Sequence, residues 1–264
     1  MDFTELDTRG LVLLGCGKMG GAMLAGWLDR GLSASAVTVI DPNPSDWLTG
    51  TGVALNTPLP PSPAVALIAV KPQMMGAALP ALQSLTDTLF VTVAAGTPLS
   101  AYAAAFGASA RVVRAMPNTP AAVGRGITAI IGNAAATPAD LDLAQGMLAA
   151  VGEVVRLDTE DQMDAVTGLS GSGPAYVFHV IETMAAAGVA QGLSPDLALQ
   201  LARATVAGAG ALAMTGEDPG QLRVNVTSPN GTTQAGLEVL MKELPDLMTR
   251  TVAAAADRSR ELRG

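Results

Sequence analysis

An apolar run that leads directly into a glycine-rich turn and then an amphipathic segment, residues 11–31, constrains the fold more than any other feature. The turn consists of Gly15, Cys16, Gly17, Lys18, Met19 and Gly20. Its three glycines have the spacing of a dinucleotide fingerprint, in the strand–turn–helix context that the fingerprint requires. They allow a tight turn, close approach to a pyrophosphate and close helix–strand packing, and the helix start attracts phosphates. We therefore predict that these six residues contact a dinucleotide. The alternative is a purely structural turn.

A second predicted strand, residues 36–40, ends in Asp41, where an acidic side chain can hold a ribose hydroxyl of adenosine. The next residues, 42–45, contain no arginine or lysine that could receive a 2′-phosphate. Taken alone, this favours NADH over NADPH. The alternative role of Asp41 is in a turn or a helix cap. We also assign Asn43 and Asn56 to the cofactor site.

Further predicted strands cover residues 64–70, 90–94, 111–116 and 126–131. Because strands alternate with helical segments, we expect a mostly parallel, doubly wound sheet. The loops 71–73, 95–96 and 117–119 would then open into the same crevice as the glycine turn. Each loop alone is ordinary turn chemistry, but their shared position favours cofactor contact. The candidates are Val70, Lys71, Pro72, Ala95, Gly96, Pro117 and Asn118.

The composition of the chain limits the classes of partner that it can have. Of its 264 residues 49% are hydrophobic and only 14% are charged, which is too few charges to cover a large exposed surface. The net charge of −8 argues against nucleic acid as a partner. A single cysteine excludes an internal disulfide and fits a reducing compartment. With no signal-peptide pattern and no uninterrupted apolar span, we expect a cytoplasmic protein without a membrane partner.

The pattern after residue 137 is mainly helical. A capped helix runs to about residue 151, and an edge strand is predicted at 153–157. We place the domain boundary near residue 160, which gives domains 1–159 and 160–264. Long helices are predicted at 174–190, 195–215 and 233–263.

Residues 197–214 carry one charge, Arg203, and a helix that is apolar all round must be buried all round. We infer an interlocked homodimer. A fully enclosed monomeric core is the alternative.

Residues 225–233 lie between the last two long helices, and their hydroxyl side chains surround a Pro-Asn-Gly turn. The backbone N–H groups of Gly231, Thr232 and Thr233 are expected at or near a helix start. Such a site binds a small anion, and a carboxylate suits it without any arginine. An elaborate N-cap without a ligand is the alternative.

Five motifs occur in a fixed order along the chain. They are Gly15-x-Gly17-x-Met19-Gly20, Val70-Lys71-Pro72-Gln73, Met116-Pro117-Asn118-Thr119-Pro120, Leu169-Ser170-Gly171-Ser172-Gly173-Pro174-Ala175-Tyr176 and Val226-Thr227-Ser228-Pro229-Asn230-Gly231-Thr232-Thr233. In this order they resemble the pyrroline-5-carboxylate reductase family over nearly the whole chain. One departure is Asn230, where a second glycine is common. Asparagine tolerates a positive φ, so we expect the turn to survive.

The resemblance implies an N-terminal Rossmann domain followed by an all-helical dimerisation domain, with dimers often assembled into decamers of five dimers. It implies hydride transfer to the cyclic imine 1-pyrroline-5-carboxylate, which yields L-proline. The donor is NADPH, with NADH also plausible because of Asp41, and no metal is implied.

The same resemblance assigns residues to the substrate. Gly231, Thr232 and Thr233 hold its carboxylate, and Ser228 lines the same pocket. The Thr233 hydroxyl faces the ring nitrogen, so Thr233 and Ser228 are the catalytic candidates. Asn225 lies against the cofactor.

Two other functions are weighed against this one. A β-hydroxyacid dehydrogenase or related imine reductase shares the first motif, but hydroxyacid members use a lysine on the interdomain helix. The only lysines here, Lys18, Lys71 and Lys242, lie elsewhere. A nucleotide-sensing module without catalysis needs no carboxylate pocket. The single histidine, His179, is interpreted as structural.

Overall fold

The computed structural model of the chain describes residues 3–263. The described chain divides into two compact units. The first unit extends to Gly171 and includes the residues from Ala255 onward, and the second is Ser172–Ala254. The sequence pattern places a domain boundary near residue 160, and that boundary stays a prediction.

The first unit is built on one eight-stranded sheet. The strands are β1 Leu11–Leu14, β2 Val37–Ile40, β3 Ala54–Leu55, β4 Val65–Ile68, β5 Leu89–Thr92, β6 Arg111–Met116, β7 Gly126–Gly132 and β8 Gly152–Arg156. Their order is β3-β2-β1-β4-β5-β6-β7-β8, and every neighbouring pair is parallel except β6 and β7. The predicted mostly parallel sheet is confirmed. The two-residue strand β3 was not predicted.

Helices cover both faces of this sheet. They are α1 Thr4–Arg9, α2 Lys18–Asp29, α3 Asp46–Thr49, α4 Met75–Ala78, α5 Leu99–Phe106, α6 Pro138–Leu148 and α7 Gln162–Val166. Short 3₁₀ turns occur at Ala34–Ala36, Pro72–Met74, Leu79–Leu82, Thr119–Val123 and Ala149–Val151, and a π turn at Thr167–Gly171. Strands β1, β4 and β5 are buried along their whole length, because a parallel sheet covered on both faces needs continuous apolar strands. Trp27 anchors the core on one face and Tyr102 the core on the other.

The second unit is helical. Its helices are α8 Gly173–Ala190, α9 Pro195–Ala213, α10 Pro219–Asn225 and the part of α11 Thr232–Leu262 that precedes Ala255. The three long helices agree with the sequence prediction, whereas α10 was not predicted. Its start is capped by the Asp218 carboxylate, which accepts the Gln221 N–H at 3.0 Å.

Helix α9 departs from one expectation. Its apolar circumference predicts burial on all sides, but in the single chain only Ala198 and Ala202 are buried. Leu201 is 48% exposed, and apolar residues on the neighbouring helices, such as Phe178 and Met241, are exposed as well. A large apolar surface of this kind marks an interaction site. Among the described residues, none of the helices combines the length and the apolar character needed to cross a bilayer.

Candidate active site

The glycine turn between β1 and α2 has the geometry of a pyrophosphate cradle. Gly15 has a φ of +89°, a conformation that other residues rarely adopt. A side chain at Gly20 would collide with the Gly15 carbonyl oxygen, so the third glycine lets α2 pack on the strand, as predicted. Gly17 faces open space and begins α2 without any side-chain cap. The helix start is therefore open to an anion, and a dinucleotide pyrophosphate fits it.

Asp41, at the end of β2, is bound to this turn. Its Oδ2 accepts the Cys16 N–H at 2.7 Å, and its Oδ1 accepts the Asn43 N–H at 2.8 Å. Asn56 pairs with the Asp41 backbone through two hydrogen bonds of 3.0 and 2.8 Å. The carboxylate thus has the turn role that we considered as the alternative. Its contact with a ribose hydroxyl, and the contacts of Asn43 and Asn56 with the cofactor, stay predictions.

The Cys16 thiol lies inside the same turn and is buried. Burial, followed by repulsion from the Asp41 carboxylate, raises the pKa of Cys16 to about 11. The thiol is therefore protonated at neutral pH. A buried, protonated thiol is unreactive, so we interpret the Cys16 side chain as a small packing residue of the turn.

The loops at the carboxyl ends of β4, β5 and β6 share the edge of the sheet at which the glycine turn lies, because these strands run parallel to β1. Val70 lies against Gly15, since a Cβ built on Gly15 would be 2.8 Å from the Val70 Cγ1. Lys71 is exposed at the start of the Pro72–Met74 turn, and Gly96 follows β5 with a φ of +76°. The structure therefore brings these predicted residues to one edge.

Asn118, also at this edge, has its side chain engaged by the protein. Its Oδ1 accepts the Ile127 N–H at 3.0 Å, and its Nδ2 donates to the Ser170 carbonyl at 3.2 Å. It thus joins the start of β7 to Ser170, in the π turn Thr167–Gly171. Cofactor contacts by Asn118 and by the loop residues Pro72, Ala95 and Pro117 stay predictions.

The second candidate element is the loop that precedes α11. Asn230 has a φ of +59°, which confirms that asparagine supports the turn. A Cβ on Gly231 would collide with the Ser228 hydroxyl oxygen and lie 3.1 Å from the Ser228 carbonyl oxygen, so a side chain there requires the Ser228 hydroxyl to move. The Gly231 N–H donates to the Ser228 carbonyl at 3.1 Å within the turn. Thr232 and Thr233 form the first turn of α11, where backbone N–H groups have no intrahelical acceptor.

A cavity of about 420 Å³ borders this loop. Its lining includes Thr227, Gln234 and Met241, together with Arg223 on α10. Sequence reasoning missed Arg223, because α10 was not predicted. The Glu238 carboxylate lines the same cavity, so the wall carries both a cation and an anion.

Asn225 lies at the end of α10 with its side chain paired inside the second unit. Its Nδ2 donates to the Glu217 carboxylate at 2.7 Å, and its Oδ1 accepts from the Gln221 amide at 2.8 Å. Its contact with the cofactor stays a prediction. His179 is exposed and lies 3.1 Å from the Glu182 carboxylate.

Comparison with known proteins identifies the family. Residues 160–262 match the family model for pyrroline-5-carboxylate reductase dimerisation, and residues 10–96 match that for the coenzyme F420-dependent NADP oxidoreductases. The chain is 38% identical to the pyrroline-5-carboxylate reductase of Methanosarcina acetivorans, over 97% of this chain and 99% of that protein. The chain belongs to the pyrroline-5-carboxylate reductase family. The enzyme of Pisum sativum is 40% identical over 97% of both chains.

Solved structures of the reductase family have the same fold. The Coxiella burnetii reductase superposes with a TM-score of 0.92 at 31% identity, over 97% of this chain and 99% of that one. The Plasmodium falciparum enzyme, solved with NADP bound, gives 0.84 at 26% identity, over 98% of this chain and 99% of that one. The family is one of NAD(P)-dependent oxidoreductases, and the match to its dimerisation region indicates that this reductase oligomerises.

Proposed function

We propose that this chain reduces 1-pyrroline-5-carboxylate to L-proline with NADPH, the last step of proline biosynthesis. The observation that carries the proposal is the pairing, in one member of the family, of an uncapped glycine turn with a Pro-Asn-Gly loop at a helix start. The first suits a pyrophosphate and the second suits a carboxylate.

The glycine turn and the loops at the carboxyl edge of the sheet hold the cofactor. Backbone N–H groups at the start of α2 bind the pyrophosphate, and the open space at Gly17 admits it. The loops 70–72, 95–96 and 117–118 lie along the rest of the dinucleotide, with Asn225 as a further contact. When bound, NADPH supplies the hydride.

The start of α11 holds the substrate carboxylate. The N–H groups of Thr232 and Thr233 donate to it, and Gly231 precedes them in the turn. Arg223 and Glu238 both line the adjacent cavity. Ser228 lines the same pocket.

The reaction needs little acid–base catalysis by the protein. A protonated imine is already electrophilic, so the protein has mainly to hold it in place and exclude water. The Thr233 hydroxyl orients the ring nitrogen and bonds the amine as it forms. Ser228 assists it through its own hydroxyl.

The finer points are the cofactor preference, the assembly and the location. NADPH is the donor, and NADH is also usable because Asp41 offers a carboxylate to an unphosphorylated ribose. The exposed apolar helices pair in a dimer, and five dimers form a decamer in the cytoplasm, without a nucleic-acid or membrane partner.

The test is oxidation of NADPH followed at 340 nm, with the purified protein and 1-pyrroline-5-carboxylate. We expect turnover that depends on the imine and yields L-proline, identified by chiral chromatography. Oxidation of a 2-hydroxy acid with NADP⁺, together with no reduction of the imine, would contradict the proposal and favour the dehydrogenase alternative. Binding of NADPH with no turnover of either substrate would favour the nucleotide sensor.

A further inference from the structure

An ion pair between a buried arginine and a partly exposed glutamate lies within the first unit, and the site described above makes no use of it. Arg114 occupies the middle of β6 and is 2% exposed. Its Nη1 lies 2.5 Å from Oε1 of Glu160. The loss of hydration of the buried Arg114 guanidinium offsets much of its attraction to Glu160, whose side chain is 27% exposed, so the pair is weak evidence for a role in stability alone. The groups that the pair holds in place therefore indicate its role.

The same carboxylate oxygen holds the start of α5. Oε1 of Glu160 accepts the backbone N–H of Leu99, the first residue of that helix, at 2.9 Å. Pro98 precedes it and offers no side-chain cap. A negative charge is favourable at a helix N-terminus, so Glu160 takes the place of the missing cap. Arg114 in turn fixes Glu160.

The loop 93–98, which joins β5 to α5, is also tied down from the strand side. The Tyr102 phenol is fully buried and lies 2.6 Å from the Thr92 hydroxyl. The Thr92 Oγ1 accepts the Ala94 N–H at 3.3 Å, and the Thr97 side chain bonds the same phenol. This loop contains Ala95 and Gly96, which we assign to the cofactor.

The middle of the loop rests on the last turn of α11. A Cβ on Gly96 would lie 3.7 Å from the carbonyl oxygen of Leu262 and 3.8 Å from its Cβ. That turn is held by Asp164, whose Oδ1 accepts from the Ser259 hydroxyl at 2.8 Å and whose Oδ2 lies 2.6 Å from Nη2 of Arg263. Glu160 therefore holds the end of the loop, and Asp164 holds the last turn of α11, on which the loop packs.

We propose that Arg114 and Glu160 are positioning residues that set the Ala95–Gly96 loop against the bound dinucleotide. Neither side chain touches a ligand. The pair acts by fixing the Leu99 N–H and thereby the loop that ends there. The proposal rests on the proposed function, in which this loop contacts NADPH.

The test measures the Kd for NADPH from the change in its fluorescence on binding. Glu160→Ala removes both contacts, and we expect the Kd to rise about tenfold, as expected for the loss of one charged hydrogen bond. Glu160→Gln keeps an oxygen acceptor for the Leu99 N–H and restores most of the affinity. The control is Asp142→Ala, which removes an exposed ion pair with Arg156 in the same unit and leaves the Kd unchanged.

Two further measurements separate positioning from general loss of stability. The KM for the imine is expected to stay within about twofold of wild type, because the loop 227–233 is untouched. Amide hydrogen exchange is expected to speed up in residues 94–102 of the Glu160 variants and not in the Asp142 control. If Glu160→Ala does not fold, Glu160→Gln is expected to raise the Kd about threefold, with faster exchange in the same segment.

An unchanged Kd for NADPH in the folded Glu160 variants would overturn the positioning role. A rise in the KM for the imine as large as the rise in the Kd for NADPH would also overturn it. So would amide exchange that speeds up over the whole first unit. These outcomes differ from failure of the proposed function, in which the wild-type protein itself neither binds NADPH nor reduces the imine.

Discussion

At the scale of single residues, the candidate site depends on backbone groups more than on reactive side chains. Gly17, Gly20 and Gly231 matter for the space they leave, and the N–H groups of Thr232 and Thr233 matter for where the helix starts. This suits a reaction whose hydride comes from the cofactor, because the protein has chiefly to orient two ligands. Thr233 is the residue at which side-chain chemistry is expected.

Thr233→Ala is predicted to lower kcat/KM for the imine by up to about 100-fold, the range of a single proton partner. The Kd for NADPH is expected to stay within about twofold, since the change lies in the loop that holds the substrate. Thr249→Ala is the matched control, because that threonine lies on the same helix and bonds only the Pro245 carbonyl. Steady-state kinetics measure kcat/KM for the imine, and fluorescence titration measures the Kd for NADPH. Equal loss of NADPH binding would refute the assignment of Thr233.

Asp41→Ser is predicted to change two properties of the glycine turn. The carboxylate disfavours a 2′-phosphate, so its removal should shift preference towards NADPH by about 1–2 kcal/mol. The same charge helps to raise the pKa of Cys16 to about 11, so its removal lowers that pKa and enlarges the thiolate fraction at pH 9. The checks are kcat/KM for both cofactors and the rate of alkylation by iodoacetamide against pH.

Asp46→Ser is the control for this variant, since Asp46 is exposed in the next helix. An unchanged cofactor ratio together with faster alkylation would limit Asp41 to a turn role.

In the wild-type protein the raised pKa of Cys16 has a further consequence. Stability attributable to the buried neutral thiol is present below pH 9 and is lost as the pH rises towards 11.

At the scale of elements, the sequence predicts most of the fold because the strong patterns are local. Strand β6 is predicted at its observed bounds, and the predicted cap of α6 is confirmed, in the form of a capping box between Thr137 and Asp140. Helix α10 was missed because seven residues give too little apolar periodicity. Glu160 was missed because its partners, Leu99 and Arg114, are distant in sequence. The available signal was Arg114, the second arginine of a strand that is otherwise apolar.

The glycine turn gives a paired prediction. Gly20→Ala forces a methyl group against the Gly15 carbonyl, so we expect a loss of about 1–3 kcal/mol in the free energy of unfolding. Gly17→Ala meets open space at a φ of −70°, so its stability should be nearly that of wild type. Its methyl group nevertheless lies where the pyrophosphate would approach, and the Kd for NADPH is expected to rise at least about tenfold. Urea unfolding and NADPH titration check the two variants. The reverse pattern would contradict the assigned roles of the two glycines.

At the scale of the whole molecule, the second unit leaves an apolar surface that a single chain does not cover. Leu201, Phe178 and Met241 are all about half exposed, whereas the first unit contains two buried apolar cores, one around Trp27 and one around Tyr102. The sequence predicts an interface in this unit, since the chain has too few charges to cover a large exposed surface and residues 197–214 are apolar all round. It does not predict how many copies assemble, because that depends on shape rather than composition.

Sedimentation velocity is predicted to show a dimer or a multiple of dimers. Leu201→Glu should shift the protein towards monomer, because a charge buried in an apolar interface is costly. Val123→Glu is the control, since Val123 is exposed on the first unit and should leave the assembly unchanged. A stable monomer in the wild-type protein would contradict the assembly inferred from α9.

The most direct test of the central claim is a crystal structure of the protein grown with NADP⁺ and L-proline. We predict pyrophosphate density at the start of α2, and density for the carboxylate of the amino acid within hydrogen-bond distance of the Thr232 and Thr233 N–H groups. A carboxylate bound elsewhere, or an empty loop at 228–233 in crystals that contain the dinucleotide, would contradict the account.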